Sequence, residues 1–120
     1  AIIHPSATVS PAVSILEGVQ IMAGAIIQPE CRIGCNTIIN TGALVDHDCE
    51  IGDHVHLAPG VTLSGGIRIG NGTHVGTGAT IIQGIKIGNN CLIGAGSLVL
   101  DDVPDGFVVY GNPARVVRKG

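Results

Sequence analysis

The segment Ile33-Gly34-Cys35-Asn36-Thr37-Ile38-Ile39-Asn40-Thr41-Gly42-Ala43-Leu44-Val45-Asp46-His47-Asp48-Cys49-Glu50-Ile51-Gly52 carries the pattern on which the whole chain is built. Within it Ile33, Ile39, Val45 and Ile51 recur every six residues, and two places before the last three stand Thr37, Ala43 and Cys49. Stepping outward in sixes, the run extends from Ile3 and Val9 through Leu57, Leu63, Ile69, Val75, Ile81, Ile87 and Ile93 to Val99, always Ile, Leu or Val. An unbroken internal period of this kind is the signature of a repeat architecture.

Each six-residue unit has two inward positions separated by one outward residue, as a short strand requires. The remaining residues turn a corner. Glycine returns every 18 residues at Gly24, Gly42, Gly60, Gly78 and Gly96. A second column, Gly34, Gly52, Gly70 and Gly88, precedes Cys35, Asp53, Asn71 and Asn89. Both columns read as corners that need positive φ, which Gly, Asn and Asp tolerate. Three faces per 18-residue coil give a triangular prism: an all-β parallel β-helix of about five coils, about 25 Å tall at the usual strand spacing, with Ile and Val stacked along its axis. A helical reading fails, because a period of six holds no stripe on a 3.6-residue helix.

The repeat ends near Val99, so residues 1–100 read as the β-helix and residues 101–120 as a capping segment. The latter holds Pro104, an extended Phe107–Tyr110, the string Gly111-Asn112-Pro113-Ala114, and a basic tail of Arg115, Arg118 and Lys119. A coil end is an open sheet edge that needs cover, and the N-terminal end shows no such cover in the sequence. The chain opens at Ala1 without Met, which reads as a processed or excised piece of something longer.

Composition agrees with an aliphatic prism: 19 Gly, one Phe, one Tyr and no Trp. A formal net charge of −3 leaves no electrostatic footprint for nucleic acid. There is no lysine-rich run for a membrane surface, no apolar stretch of spanning length, and no signal-peptide pattern at Ala1. A soluble, cytoplasmic protein is the expectation.

Repeat phase sorts the cysteines and histidines. Cys31, Cys49 and Cys91 fall on the small inward position and read as core; Cys35 falls at a corner. No Cys-x-x-Cys pair suggests a zinc site or a disulfide framework. None of the five histidines is inward. His56 and His74, 18 apart, stack on the outside of one face; His4 and His54 carry no further signal. His47 sits at a different corner between Asp46 and Asp48. A carboxylate beside an imidazole orients the ring and raises its basicity, so His47 is a general-base candidate.

The sixfold repeat, the Gly111-Asn112-Pro113-Ala114 segment and the string Val45-Asp46-His47-Asp48-Cys49 together resemble the left-handed β-helix acyltransferases, most closely the bacterial sugar acyltransferases of the PglD and NeuD group. His4-Pro5-Ser6-Ala7 resembles the point where that group's β-helix begins. The resemblance implies a left-handed coil, a homotrimer, acetyl-CoA as co-substrate with no metal, and acetylation of a UDP-linked 4-amino sugar. The alternative within the same fold is O-acetylation of a sialic-acid-type sugar. It places the catalytic base at His47, with Asp48 tuning it where relatives often have Glu. A second histidine that meets the acetyl carbonyl falls on His56, and contacts to coenzyme A fall on Gly65, Thr77 and Ala95. Full-length relatives also carry an N-terminal Rossmann-like domain, which this sequence lacks.

Repeat geometry constrains that assignment. His47 and His56 are nine residues apart, one and a half faces, so a corner and the opposite face hold them. Gly65 stacks on the His47 corner, while Thr77 and Ala95 stack on the corner beside His56. A site that uses both strips lies between subunits, and a cyclic trimer closes it. The basic tail reads as solvated, with the coenzyme's phosphates as its alternative partner. Two rivals use the same fold: a γ-type carbonic anhydrase, whose Gly-His-x-x-x-x-His-Gly spacing is missing here, and a non-catalytic structural β-helix.

Overall fold

A computed structural model describes all 120 residues, Ala1–Gly120. The chain forms three parallel sheets around one core. The first contains β1 (Ile2–Ile3), β4 (Gln20–Ile21), β7 (Ile38–Ile39), β10 (His56–Leu57), β13 (His74–Val75) and β16 (Leu92–Ile93), followed by β18 (Phe107–Gly111) and β19 (Ala114–Lys119). The second contains β2 (Thr8–Val9), β5 (Ile26–Ile27), β8 (Leu44–Val45), β11 (Thr62–Leu63), β14 (Thr80–Ile81) and β17 (Leu98–Val99). The third contains β3 (Ser14–Ile15), β6 (Arg32–Ile33), β9 (Glu50–Ile51), β12 (Arg68–Ile69) and β15 (Lys86–Ile87). Every pairing among these short strands joins residues 18 apart, as in His56 with His74 and Leu63 with Ile81. The repeat thus makes nearly six turns where about five were expected, and with its cap the molecule is 37 Å long and 22 × 20 Å across.

The inward rows form a single cluster of 28 buried residues that includes Ile21, Ile39, Val45, Leu57, Leu63, Ile81 and Ile93. Cys31, Cys49 and Cys91 lie inside it, as free thiols. Where the inward residue is threonine its hydroxyl is fully used: Thr37 donates to the Gly52 carbonyl at 2.7 Å and accepts from the Val55 N–H at 3.1 Å. Thr73 repeats this one coil further with Gly88 and Cys91. No buried side-chain nitrogen or oxygen lacks a partner, which the cost of an orphaned buried polar group demands.

The two glycine columns do different jobs. Gly24, Gly42, Gly60, Gly78 and Gly96, between the first and second sheets, all have φ of 68–73°. Gly34, Gly52, Gly70 and Gly88 do not. At that corner the positive φ falls two places later, on Asn36 (57°), His54 (55°), Gly72 (72°) and Asn90 (54°). The second column is glycine because neighbouring coils approach closely there: a Cβ on Gly70 would sit 2.6 Å from the Gly88 carbonyl carbon and 2.7 Å from the Asn89 nitrogen. Beside it runs a ladder of side-chain carbonyls and carboxylates. Cys35 N–H donates to Asp53 Oδ1, Asp53 N–H to Asn71 Oδ1, Asn71 N–H to Asn89 Oδ1, and Asn89 N–H to Asp105 Oδ1, at 2.7–2.8 Å.

The cap continues the stack. Asp105 ends the ladder, Asp102 accepts from the Lys86 N–H at 2.8 Å, and β18 pairs in parallel with β16 before β19 folds back antiparallel on it. The basic tail is therefore a strand. At the opposite end Ile2 and Ile3 are exposed. Asn71→Ala removes the ladder acceptor for Asp53 N–H and is expected to cost about 1–3 kcal/mol, read as a lower denaturant midpoint; an unchanged midpoint would show that the ladder is dispensable.

Candidate active site

His47 occupies the corner between β8 and β9. Asp46 turns back so that its carboxylate accepts the His47 N–H at 2.7 Å, and Asp48 takes a left-handed φ of 58°. That conformation sets the Asp48 carboxylate beside the ring, with Nδ1 and Oδ2 2.9 Å apart. Nδ1–H donating to Asp48 leaves Nε2 as the free basic nitrogen. Both side chains are more than half exposed. The His47 pKa is raised above the ordinary histidine value, first by the hydrogen bond to Asp48 and then by the charge of Asp46. Beneath the corner, the Cys31 thiol donates to the Asp46 carbonyl at 2.9 Å and the Cys49 thiol to the Ser64 carbonyl at 3.4 Å, so the core holds this turn from inside.

The imidazole lies over Gly65, which it buries. A Cβ on Gly65 would fall 2.6 Å from His47 Cε1 and 2.7 Å from Nε2. Gly66 N–H donates to the His47 carbonyl at 2.9 Å, so the stacking of Gly65 on His47 read from the 18-residue spacing is what the coil does. The glycine here serves the ring and not the backbone, since its φ is not in the left-handed region.

His56 stands on the outer face of the first sheet, half-buried, in register with Ile38 and His74. Its ring meets that of His74 edge-on, with centroids 4.6 Å apart. Burial, and then the neighbouring His74 charge, lower its pKa, which favours a neutral ring. Asn40 Nδ2 lies 3.2 Å from His56 Nε2. An amide N–H donated to Nε2 makes the other nitrogen, Nδ1, the hydrogen-bond donor of the neutral ring. Asn40 escaped the sequence reading because it is 16 residues from His56, two short of the period. The available signal was that Ile38 lies opposite His56, which brings the next corner residue within reach.

Thr77 and Ala95 stack on the corner between the first and second sheets, both exposed, with Gly96 N–H donating to the Thr77 carbonyl at 2.8 Å. The chain thus presents His47, Asp48 and Gly65 at one corner, and His56, Thr77 and Ala95 on another side. Within one protomer nothing brings the two strips together. The main groove of a single chain, about 740 Å³, runs instead along the third sheet past Arg32, Glu50, Arg68 and Lys86. No three His, Cys, Asp or Glu side chains converge in a metal-binding arrangement.

With this geometry in hand, comparison with known proteins gives a consistent answer. The bacterial transferase hexapeptide (six repeats) family matches residues 30–65 and 66–101. The chain belongs to the hexapeptide-repeat transferases. Among solved structures, PerB from Caulobacter crescentus, in complex with CoA and GDP-perosamine, is 47% identical with a TM-score of 0.94, over 95% of this chain and 55% of that one. GDP-perosamine N-acetyl transferase from the same organism, as a histidine-to-alanine variant with the same two ligands, is 46% identical at TM-score 0.94, over 95% and 54% of the chains. The acetyltransferase domain of PglB from Neisseria gonorrhoeae, in complex with acetyl coenzyme A, is 43% identical at TM-score 0.93, over 96% and 56%. The chain spans little more than half the length of these relatives. A comparison with curated protein sequences gives no match.

The ring environment is testable without any substrate. Gly65→Ala displaces only the imidazole, so thermal stability is expected to hold while the His47 pKa, followed by NMR, falls towards the ordinary value. An unmoved pKa would show that the ring does not rest on Gly65.

Proposed function

We propose that this chain is an acetyl-CoA-dependent N-acetyltransferase acting on the amino group of a nucleotide-linked sugar, in a homotrimer whose three sites lie between subunits. The observation that carries this reading is the His47 ring, seated on Gly65 with Nδ1 turned to Asp48 and Nε2 left open. The acetyl-CoA, CoA and amino-sugar-nucleotide complexes of the relatives supply the substrate class.

The distribution of charge over the prism supports the trimer. The outward row of the third sheet is Ser14, Arg32, Glu50, Arg68 and Lys86; that of the second is Thr8, Ile26, Leu44, Thr62, Thr80 and Leu98, without a charge. Charge-free rows suit an interface core; the first sheet's outward row from β4 to β16 also lacks Asp, Glu, Lys and Arg, but only the second sheet lies between the His47 corner and the Thr77 and Ala95 corner. Three copies packed through their second sheets around one axis set the His47 corner of each beside the Thr77 and Ala95 corner of the next. Such a heterologous contact closes as a ring. The two strips that one protomer keeps apart then face each other across the junction.

In that site the unprotonated amine attacks the thioester carbonyl. As the C–N bond forms, its proton passes to His47 Nε2, and Asp48 stabilises the imidazolium. His56 Nδ1–H donates to the developing oxyanion. Collapse breaks the C–S bond, and the proton held on His47 goes to the departing thiolate. Atoms balance without an acyl-enzyme.

His47→Ala is expected to reduce transfer to amino-sugar nucleotides by about 10²–10⁴-fold while the oligomer persists. Both UDP- and GDP-linked 4-amino sugars belong in the assay, the former implied by the family resemblance and the latter bound by the Caulobacter relatives; activity within a few-fold of wild type would overturn the assignment. A base works only when unprotonated, so kcat/KM rises with pH through the elevated His47 pKa. Asp48→Asn lowers that pKa and is expected to move the acidic limb to lower pH. Leu44→Asp places three carboxylates around the proposed axis and is expected to yield inactive monomers in sedimentation experiments; a stable active trimer would exclude packing through the second sheet.

A further inference from the structure

At each corner of the prism the carbonyl that opens the turn is satisfied in a different way. Between the first and second sheets the backbone does it, as in Ala43 N–H to the Asn40 carbonyl and Ala79 N–H to the Gly76 carbonyl, both at 3.1 Å. Between the third and first sheets a side chain of the preceding coil does it: the Thr37 and Thr73 hydroxyls donate to the carbonyls of Gly52 and Gly88, 15 residues on. Between the second and third sheets no backbone N–H donates to the Asp46 or Ser64 carbonyl. There the same 15-residue step is filled by thiols, Cys31 to Asp46 at 2.9 Å and Cys49 to Ser64 at 3.4 Å.

The inward column that holds these thiols reads Val13, Cys31, Cys49, Ile67 and Ile85. Its two donors stand in adjacent coils, set side by side by the pairing of β6 with β9. Cysteine packs as a small hydrophobe that also carries one weak donor, and the column uses it beneath the two turns that seat the imidazole. Asp46 opens the turn of His47, and Ser64 opens the turn of Gly65. The Asp46 carbonyl and the His47 N–H are the two ends of one planar peptide unit. Cys31 holds the carbonyl from inside, and the Asp46 carboxylate holds the N–H from outside at 2.7 Å. With both ends held, the direction in which His47 leaves the backbone is set, and with it the reach of the ring to Asp48. Cys49 holds the peptide unit between Ser64 and Gly65, the floor under the ring, and also lies 3.8 Å from the His47 carbonyl.

Given His47 as the base, a reading on which this rests, we propose that Cys31 and Cys49 are positioning residues whose thiols fix the peptide units carrying the imidazole and its glycine floor. Both are buried, so each acts through a carbonyl and not on the substrate. What they preserve is the angle at which Nε2 meets the proton it accepts; a misplacement of about 1 Å at a reacting group costs about 10²-fold in rate.

Two substitutions at Cys31 separate this role from packing. Cys31→Val fills the site as Val13 does one coil below, but has no donor. Cys31→Ser keeps a donor, used as Thr37 uses its hydroxyl, but fills the site less well. Cys31→Val is expected to keep its thermal midpoint while kcat falls by about tenfold or more, KM for both substrates changes little, and the His47 pKa, followed by NMR, drops towards the ordinary value. Cys31→Ser is expected to retain kcat and the raised His47 pKa despite a lower midpoint, and Cys49→Val to behave as Cys31→Val does. Wild-type kcat and His47 pKa in both valine variants, or activity that simply follows the thermal midpoint through the series, overturns the positioning role. A wild type that transfers no acetyl group would instead remove the acyl-transfer reading, and the His47 pKa of the same variants would still decide whether the thiols set the ring.

Discussion

Residues 18 apart lie directly on one another, one strand spacing apart, and everything else in this molecule depends on that stacking. Each two-residue strand is too short to hold its place alone. What holds it is the pair of coils above and below, joined by backbone hydrogen bonds such as Ile38 N–H to the Val55 carbonyl and His56 N–H to the Thr73 carbonyl. Stability is therefore distributed among nearest neighbours, as expected for a quasi-one-dimensional array. Any position whose side chain disturbs the spacing is felt by the next coil. This is why the corner from the third sheet to the first holds Gly34, Gly52, Gly70 and Gly88 in successive coils, and why its polar ladder runs from Cys35 to Asp105 with every rung 18 or 16 residues from the last.

The same stacking converts a linear repeat into chemistry. A corner must leave the sheet and return within a few residues, so its side chains project from a rigid frame. At the His47 corner the frame does three things together. The left-handed turn at Asp48 places a carboxylate beside the ring. The absent side chain at Gly65 makes room for the ring. The buried thiols of Cys31 and Cys49 tie the turn to the core through carbonyl oxygens. Preorganised donors and acceptors of this kind need no rearrangement as charge develops. Because strips on one prism cannot bend towards each other, a function that needs two of them recruits a second copy of the chain.

Most of the fold was legible in the residues. The inward rows, the three buried cysteines and the outward histidines followed from phase alone, because strand alternation leaves a residue no choice of side once the register is known. Gly65 under His47 was legible for the same reason. Two features were read incompletely. The column from Gly34 to Gly88 looks like a positive-φ column, since glycine serves both conformation and close approach and a sequence does not distinguish them. Asn40 was missed because its contact with His56 runs diagonally between coils, off the 18-residue register.

What the sequence by itself determined is the prism: its period, its aliphatic core and which residues face outward. These depend on side-chain alternation and spacing, which are properties of the chain order. Tertiary structure alone decided which nitrogen of His47 is open, which amide partners His56, and that the basic tail is a strand bearing Arg115 and Arg118 on the His56 side of the sheet. Those outcomes depend on rotamers and on the register of an antiparallel return, and the six-residue period does not specify either.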